Sequence, residues 1–271
     1  MLFFRALRLM VHLFRGMAIC AFIFPLIDAA GREGHVRRWS RQLLGICGIQ
    51  VVVRQGSGVT EPLPPRALIV ANHVSWLDIF VVNAMQPCRF VAKSDIRSWP
   101  FIGWLCAKTG TIFISRGKAS DVRRIFQGLV TSIKAGERVA FFPEGTTAAQ
   151  GKLLPFHANL FEAAIDAAVP VQPYALRYLD AEGKYHTAAD FIGDMTIVGS
   201  IAAILSARAM TAELTQLPSI PTTGAHRREL AVIARKVIAE GLGYVPEDLI
   251  QSAAPAGTTP AAIPGPQAAP Q

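Results

Sequence analysis

The stretch ALIVANHVSWLD, Ala67–Asp78, joins a wholly apolar run to a histidine and an aspartate five positions apart. Five apolar residues are too few for a helix and suit a strand covered on both faces. Asn72 and His73 then fall at the C-terminal end of that strand, where open α/β sheets place their sites. SWLD has the form of a helix start, with Ser75 as N-cap and Asp78 three positions on, a variant of the capping box. The same residues therefore have two uses. In one, Asp78 only caps the helix and His73 packs in the loop. In the other, the turn folds Asp78 back onto His73. A carboxylate on one ring nitrogen fixes the tautomer and leaves the other nitrogen as a base. The helix N-terminus opposes positive charge on the ring and so favours that neutral base.

Further short apolar runs flank this one: IQVVVRQG (Ile49–Gly56), FVAK (Phe90–Lys93), TIFIS (Thr111–Ser115), RVAFF (Arg138–Phe142) and VQPYALRYL (Val171–Leu179). Between Ser115 and Arg138, Val122, Ile125, Phe126, Leu129, Val130 and Ile133 recur at helical spacing. Ser120 or Asp121 suits the start of that helix, and Gly136 its end. A last helix near His226–Gly241 puts Leu230, Ile233, Ala234 and Val237 on one face. Strands alternating with helices predict an α/β domain, a mainly parallel mixed sheet flanked by helices, over residues 49–250. Residues 251–271 are almost all Ala, Pro, Gly, Thr and Gln, a composition that buries little and predicts a disordered tail.

Charge is distributed unevenly. The formal net charge is +8, and residues 1–41 alone carry Arg5, Arg8, Arg15, Arg32, Arg37, Arg38 and Arg41 against Asp28 and Glu33. These arginines alternate with Leu, Phe and Met, which argues against a nucleic-acid surface. Gly16–Ile27 has the length of a signal-peptide core, but no small-residue cleavage site is isolated after it. Twelve residues of helix span about 18 Å, short of the roughly 30 Å hydrocarbon core. The expectation is a membrane-associated helical segment over 1–48, helical near 2–27 and 35–48, lying in one leaflet with its cations on anionic headgroups. A helix buried against the protein's own core is the competing reading. The four cysteines, Cys20, Cys47, Cys88 and Cys106, have no CxxC spacing and read as reduced thiols, placing the catalytic part on the cytoplasmic face of the inner membrane.

No GxSxG elbow is present; QGSG (Gln55–Gly58) has the wrong spacing. A His–Asp pair without a serine partner suggests that the activated hydroxyl belongs to the substrate. GTIFISR (Gly110–Arg116) and FFPEGTT (Phe141–Thr147) bring Arg116, Glu144, Gly145 and two threonine hydroxyls to other strand ends, which suits an anionic substrate and a developing oxyanion. His73, Asp78, Glu144 and His157 lack the spacing of a metal set, and no metal is expected. His157 reads as structural. Trp76, Trp99 and Trp104, with Phe101 and Ile102, suit either the core or a lip facing membrane or acyl chain.

NHVSWLD, GTIFISR, FFPEGT and AVPVQPYAL (Ala168–Leu176), in this order, resemble the four blocks of the glycerolipid acyltransferases with the NHxxxxD motif, the lysophosphatidic acid acyltransferase family. The resemblance covers roughly 65–200. It implies that His73 deprotonates a lysophospholipid hydroxyl, which attacks an acyl thioester, while Asp78 orients His73. Arg116, Glu144, Gly145 and Thr146 would form the acceptor site, and Lys93 would help hold a phosphate. No cofactor is implied; acyl-CoA or acyl carrier protein is the co-substrate. The resemblance points to 1-acyl-sn-glycerol-3-phosphate as acceptor in phospholipid biosynthesis. Many members, however, have arginine where this chain has Thr147, which leaves a phosphate-free acceptor such as lyso-ornithine lipid as the alternative. A lipid-binding protein without catalysis and a hydrolase are the remaining readings. A neutral His73 base further predicts an acceptor-dependent rate that falls in mild acid.

Overall fold

The computed structural model describes residues 2–60, 62, 64–114 and 119–244, with the backbone alone for 119–125. Seven strands form one sheet in the order β1-β7-β6-β2-β5-β3-β4. They are β1 Ile49–Gln55, β2 Leu68–Ala71, β3 Arg89–Lys93, β4 Ile112–Ile114, β5 Val139–Phe141, β6 Val171–Leu179 and β7 Met210–Gln216. Strands β2 to β6 are mutually parallel; β7 pairs antiparallel to β6 and parallel to β1, so the β1–β7 edge runs against the rest. The sheet is mixed and mainly parallel, as expected from the alternation of strands and helices.

Alternation along β2 explains its composition. Ile69 and Ala71 enter the core on one face, with α2 (Ala29–Ile46), α3 (Asp78–Met85) and α7 (Ile197–Ser206). Leu68 and Val70 enter the other, with α5 (Ala119–Lys134), α6 (Glu162–Ala167) and α8 (Arg227–Leu242). All four are buried, so the run has no polar face to show. Helix α5 starts at Ala119, so Ser120 and Asp121 lie in its first turn rather than before it; Gly136 follows its end with φ +89°. Helix α8 is capped by His226, whose Nδ1 accepts from Arg228 N–H at 3.3 Å.

The sequence reading missed β7 and α7. Strand β7, MTAELTQ, buries a glutamate, and that mixture hides its period. Met210, Ala212 and Leu214 face the core, while buried Glu213 is held between Arg54 of β1 and Arg177 of β6. A charge surrounded this way is tolerated in a sheet that its side chain alone would argue against.

At the N-terminus, α1 (Leu2–Ala18) runs on through a π turn and a 3₁₀ turn to Leu26, a length and composition sufficient to cross a membrane. The twelve-residue apolar stretch seen in the sequence therefore underestimated it. One face is nevertheless committed to the protein. His12, Gly16, Cys20 and Phe24, four residues apart, are buried. His12 stacks on Trp39 of α2 at 4.5 Å, and a Cβ on Gly16 would lie 2.6 Å from the Trp39 indole nitrogen. Arg5 donates to the carbonyls of Leu205 and Ala207, tying the start of α1 to the end of α7. The opposite face leaves Phe3, Leu7, Met10, Val11 and Phe14 exposed, followed by Phe22 and Leu26. All four cysteines are free.

Candidate active site

The loop after β2 is held at nearly every polar group. Asn72 extends the β2–β6 pairing with its side chain: Nδ2 donates to Leu176 O and Oδ1 accepts from Leu176 N–H, both at 2.8 Å. His73 N–H donates to Glu144 Oε1 at 2.7 Å, and its carbonyl accepts from Ala148 N–H at 2.8 Å. The backbone of His73 is thus clamped by the FFPEGTT loop before its ring is considered.

The ring meets Asp78. His73 Nδ1 lies 2.8 Å from Asp78 Oδ2, which also accepts from the N–H groups of Val74 (2.7 Å) and Ser75 (2.9 Å). Asp78 Oδ1 accepts from the Tyr178 hydroxyl at 2.7 Å. Asp78 is fully buried, and it serves as acceptor to all four groups. Its partner Nδ1 is therefore the protonated ring nitrogen, and Nε2 carries the free lone pair. The His73 ring is 18% exposed and lies flat on Phe142, centroids 4.0 Å apart and planes 4° apart. Phe90 backs Phe142 at 5.7 Å. Contacts on Nδ1 and on one face fix the ring while Nε2 stays available.

Of the two uses the sequence left open, the geometry provides half of one and all of the other. Ser75 caps nothing; its hydroxyl is buried without a partner, and the N-cap of α3, Leu77, receives no side-chain hydrogen bond. The Asp78 carboxylate does reach back to Ser75 N–H, as a capping box requires, and the same oxygen holds His73.

The residues expected around the acceptor separate. Arg116 lies outside the described residues. Glu144 is 4% exposed, and its second oxygen accepts from Leu154 N–H at 2.9 Å. Both oxygens hold backbone, so Glu144 positions His73 from beneath instead of facing an acceptor. Burial pushes its carboxyl up to about 7, against the two backbone donors that favour the charged form. Gly145 needs its glycine: φ is +68°, and a Cβ would meet the His157 ring at 3.1 Å. Its N–H is engaged by Phe142 O at 3.1 Å, which removes it as an oxyanion donor. Thr146 and Lys93 are exposed at the rim, with Lys93 at the end of β3. Thr147 turns inward, its hydroxyl donating to Phe191 O, while Phe191 N–H donates to Val74 O at 3.1 Å.

Three groups escaped the sequence reading. Tyr178, on β6, sits two residues beyond Leu176, and only the pairing of β6 with β2 brings it to Asp78. Phe142 looked like ordinary core. His157 read as structural; its backbone is tied to Pro143 O at 2.8 Å, but its ring is exposed over Gly145.

His73 and the buried carboxylate of Asp78 thus meet at the end of a parallel strand. The acyltransferase family profile matches residues 57–177. A lyso-ornithine lipid O-acyltransferase of Pseudomonas aeruginosa is 34% identical over 243 residues, covering 88% of this chain and 92% of that protein. The chain belongs to the acyltransferase family. A 1-acyl-sn-glycerol-3-phosphate acyltransferase of Neisseria meningitidis is 39% identical over 167 residues, 60% of this chain and 65% of its own. The lysophosphatidic acid acyltransferase PlsC of Thermotoga maritima shares the fold, with a TM-score of 0.62 at 20% identity over 90% of this chain and 97% of its own. This O-acyltransferase thus carries its family's NHxxxxD motif with both motif side chains in contact.

Proposed function

We propose that His73 Nε2 removes the proton from the free hydroxyl of a lysolipid as that oxygen attacks the carbonyl carbon of an acyl thioester. The tetrahedral intermediate collapses by breaking the C–S bond. The ester is formed, and the imidazolium returns its proton to the departing thiolate. Asp78 holds the ring in the tautomer that makes Nε2 the base. The observation that carries this reading is the 2.8 Å contact between His73 Nδ1 and a buried Asp78 already saturated with donors. Acyl-CoA or acyl carrier protein supplies the thioester. The exposed apolar face of α1, backed by a face packed on the protein, supports an enzyme lying in one leaflet at the cytoplasmic side of the inner membrane.

Lyso-ornithine lipid is the acceptor we favour. A relative that covers 88% of this chain carries that name, and Thr147, where a guanidinium would grip phosphate, faces inward to Phe191. Lysophosphatidic acid is the second reading, favoured by the Neisseria relative and by exposed Lys93 and Lys152. Full-length protein in vesicles is offered both acceptors at equal surface density, and thiol release is followed. The proposal expects release only with acceptor present, faster with lyso-ornithine lipid, and absent in His73→Ala. Release without acceptor would make the protein a hydrolase; faster turnover of lysophosphatidic acid would exchange the two acceptors.

A further inference from the structure

The loop Trp99–Trp104 takes no part in the chemistry above, yet it contains a strained backbone. Two described residues other than glycine have positive φ. Ala168 is an ordinary left-handed cap at the end of α6. Phe101, at φ +61° and ψ −49°, is the centre of a γ-turn closed by Ile102 N–H on Pro100 O at 2.6 Å. That conformation is costly for a bulky side chain. Burial offers no compensation, since Phe101 is 62% exposed. Trp99, Ile102 and Trp104 beside it are exposed as well.

The turn is tightly set. A Cβ on Gly103 would lie 2.2 Å from Arg97 O, so only glycine lets α4 (Ile102–Lys108) fold against that carbonyl. Cations accompany the rings. Arg97 lies over Phe113 at 5.7 Å and Lys108 over Trp104 at 5.7 Å. Burial raises the thiol of Cys20, in the π turn after α1, and the charge of Lys108 acts against that rise, so the end of α4 lies on the side of the N-terminal segment. Exposed indole rings with cations beside them suit the boundary between headgroups and acyl chains.

We propose that Trp99–Trp104 is a second membrane-contact element, with the γ-turn projecting Phe101 into the acyl region of a bilayer bearing anionic headgroups. It anchors the β3–β4 edge, so that the sheet is held at two separated places and the strand ends meet the lipid surface in one orientation. This rests on the reading that α1 seats the enzyme on a membrane.

Phe101→Gly in the full-length chain tests it, because glycine takes the turn without strain and little buried area is lost. The expected result is a thermal midpoint equal to or above that of the parent. Partitioning onto phosphatidylglycerol-containing vesicles should weaken roughly tenfold, the factor given by losing about one inserted apolar side chain. Brominated lipids should quench the parent's fluorescence more than that of Trp99→Phe/Trp104→Phe. Unchanged partitioning, equal quenching, or a clear drop in thermal midpoint would each overturn the proposal, the last by showing Phe101 to be a packing residue. Phe3→Ser/Phe14→Ser separates the two readings. If it leaves partitioning intact while Phe101→Gly weakens it, α1 is not the anchor and the loop is; the reverse result removes the loop alone.

Discussion

The floor of the site and its rim are built on opposite principles. On the floor, His73, Asp78, Glu144 and Tyr178 are connected by hydrogen bonds of 2.7–2.8 Å, Asn72 is tied to the Leu176 backbone at 2.8 Å, and all but the His73 ring are buried. At the rim, Lys93, Gly145, Thr146 and His157 are exposed. A base needs one fixed orientation, which a dense network supplies. Recognition of a headgroup needs side chains that water can reach when the lipid is absent. Changes to the floor should therefore lower turnover for every acceptor, and changes to the rim should alter the ratio between acceptors.

The largest expected effect is His73→Ala, a loss of about 10²–10⁴ in kcat, the range of a positioned general base. It should apply equally to lyso-ornithine lipid and lysophosphatidic acid in an acceptor-dependent thiol-release assay. A loss confined to one acceptor would break the division between floor and rim. Asp78→Asn comes next, with kcat down about 10²–10³ because the amide opposes donors with a donor and releases the tautomer. Three further donors lose part of their acceptor, so stability to urea should also fall, by about 1–3 kcal/mol. Retained activity with reduced stability would reduce Asp78 to a helix cap.

Glu144→Gln is expected to lower kcat about tenfold, since an amide cannot accept from both His73 and Leu154 without turning its NH₂ onto one of them. It also has a pH signature. The folded-state carboxyl titrates at about 7 against an ordinary 4.5, so folding takes up a proton between those values. The stability this raised group contributes is present below about pH 4.5 and is lost as pH rises through 7, roughly 3 kcal/mol in all. Urea denaturation of parent and variant at pH 5 and pH 8 measures this. The parent should lose stability relative to the variant on going to pH 8, and a difference that does not change with pH would show that no buried charge is formed there.

What the sequence disclosed follows the range of each interaction. The His73–Asp78 contact spans five residues and one turn, and the strand before it is apolar throughout, so the pair could be read locally. The sequence puts Glu144 and Gly145 after an apolar strand, but it does not give the direction in which they point. That depends on Leu154 and His157, which approach after an excursion of ten residues or more. Tyr178 is a hundred positions from Asp78, and no local period reports a phenol at that distance. Strand β7 was obscured for a related reason, because Glu213 becomes a strand residue only once Arg54 and Arg177 flank it.

Tyr178→Phe sharpens the comparison from the floor side. Only the hydroxyl is lost, the ring still fills its buried place, and one of four donors to Asp78 disappears. The expected cost is about threefold to tenfold in kcat with KM little changed, the effect of one hydrogen bond. A structural role alone would lower urea stability and leave the pH dependence of kcat where it was. A role in positioning His73 also moves the acid limb of that profile, because the charge distribution on Asp78 Oδ1 changes.

The smallest effect belongs to the rim. Lys93 is exposed at the end of β3, and Lys93→Ala removes one mobile cation. Solvent screening limits such a contact to about 1 kcal/mol or less, hence at most roughly fivefold. If Lys93 faces the acceptor, that factor appears in KM for lysophosphatidic acid, whose phosphate is a strong acceptor of charge-assisted hydrogen bonds. For the zwitterionic headgroup of lyso-ornithine lipid the change should be smaller. The ratio of the two KM values therefore moves while the ratio of the two kcat values stays constant. His73→Ala leaves both ratios untouched in spite of a far greater loss, and this contrast of magnitude with selectivity is what two separately built regions require.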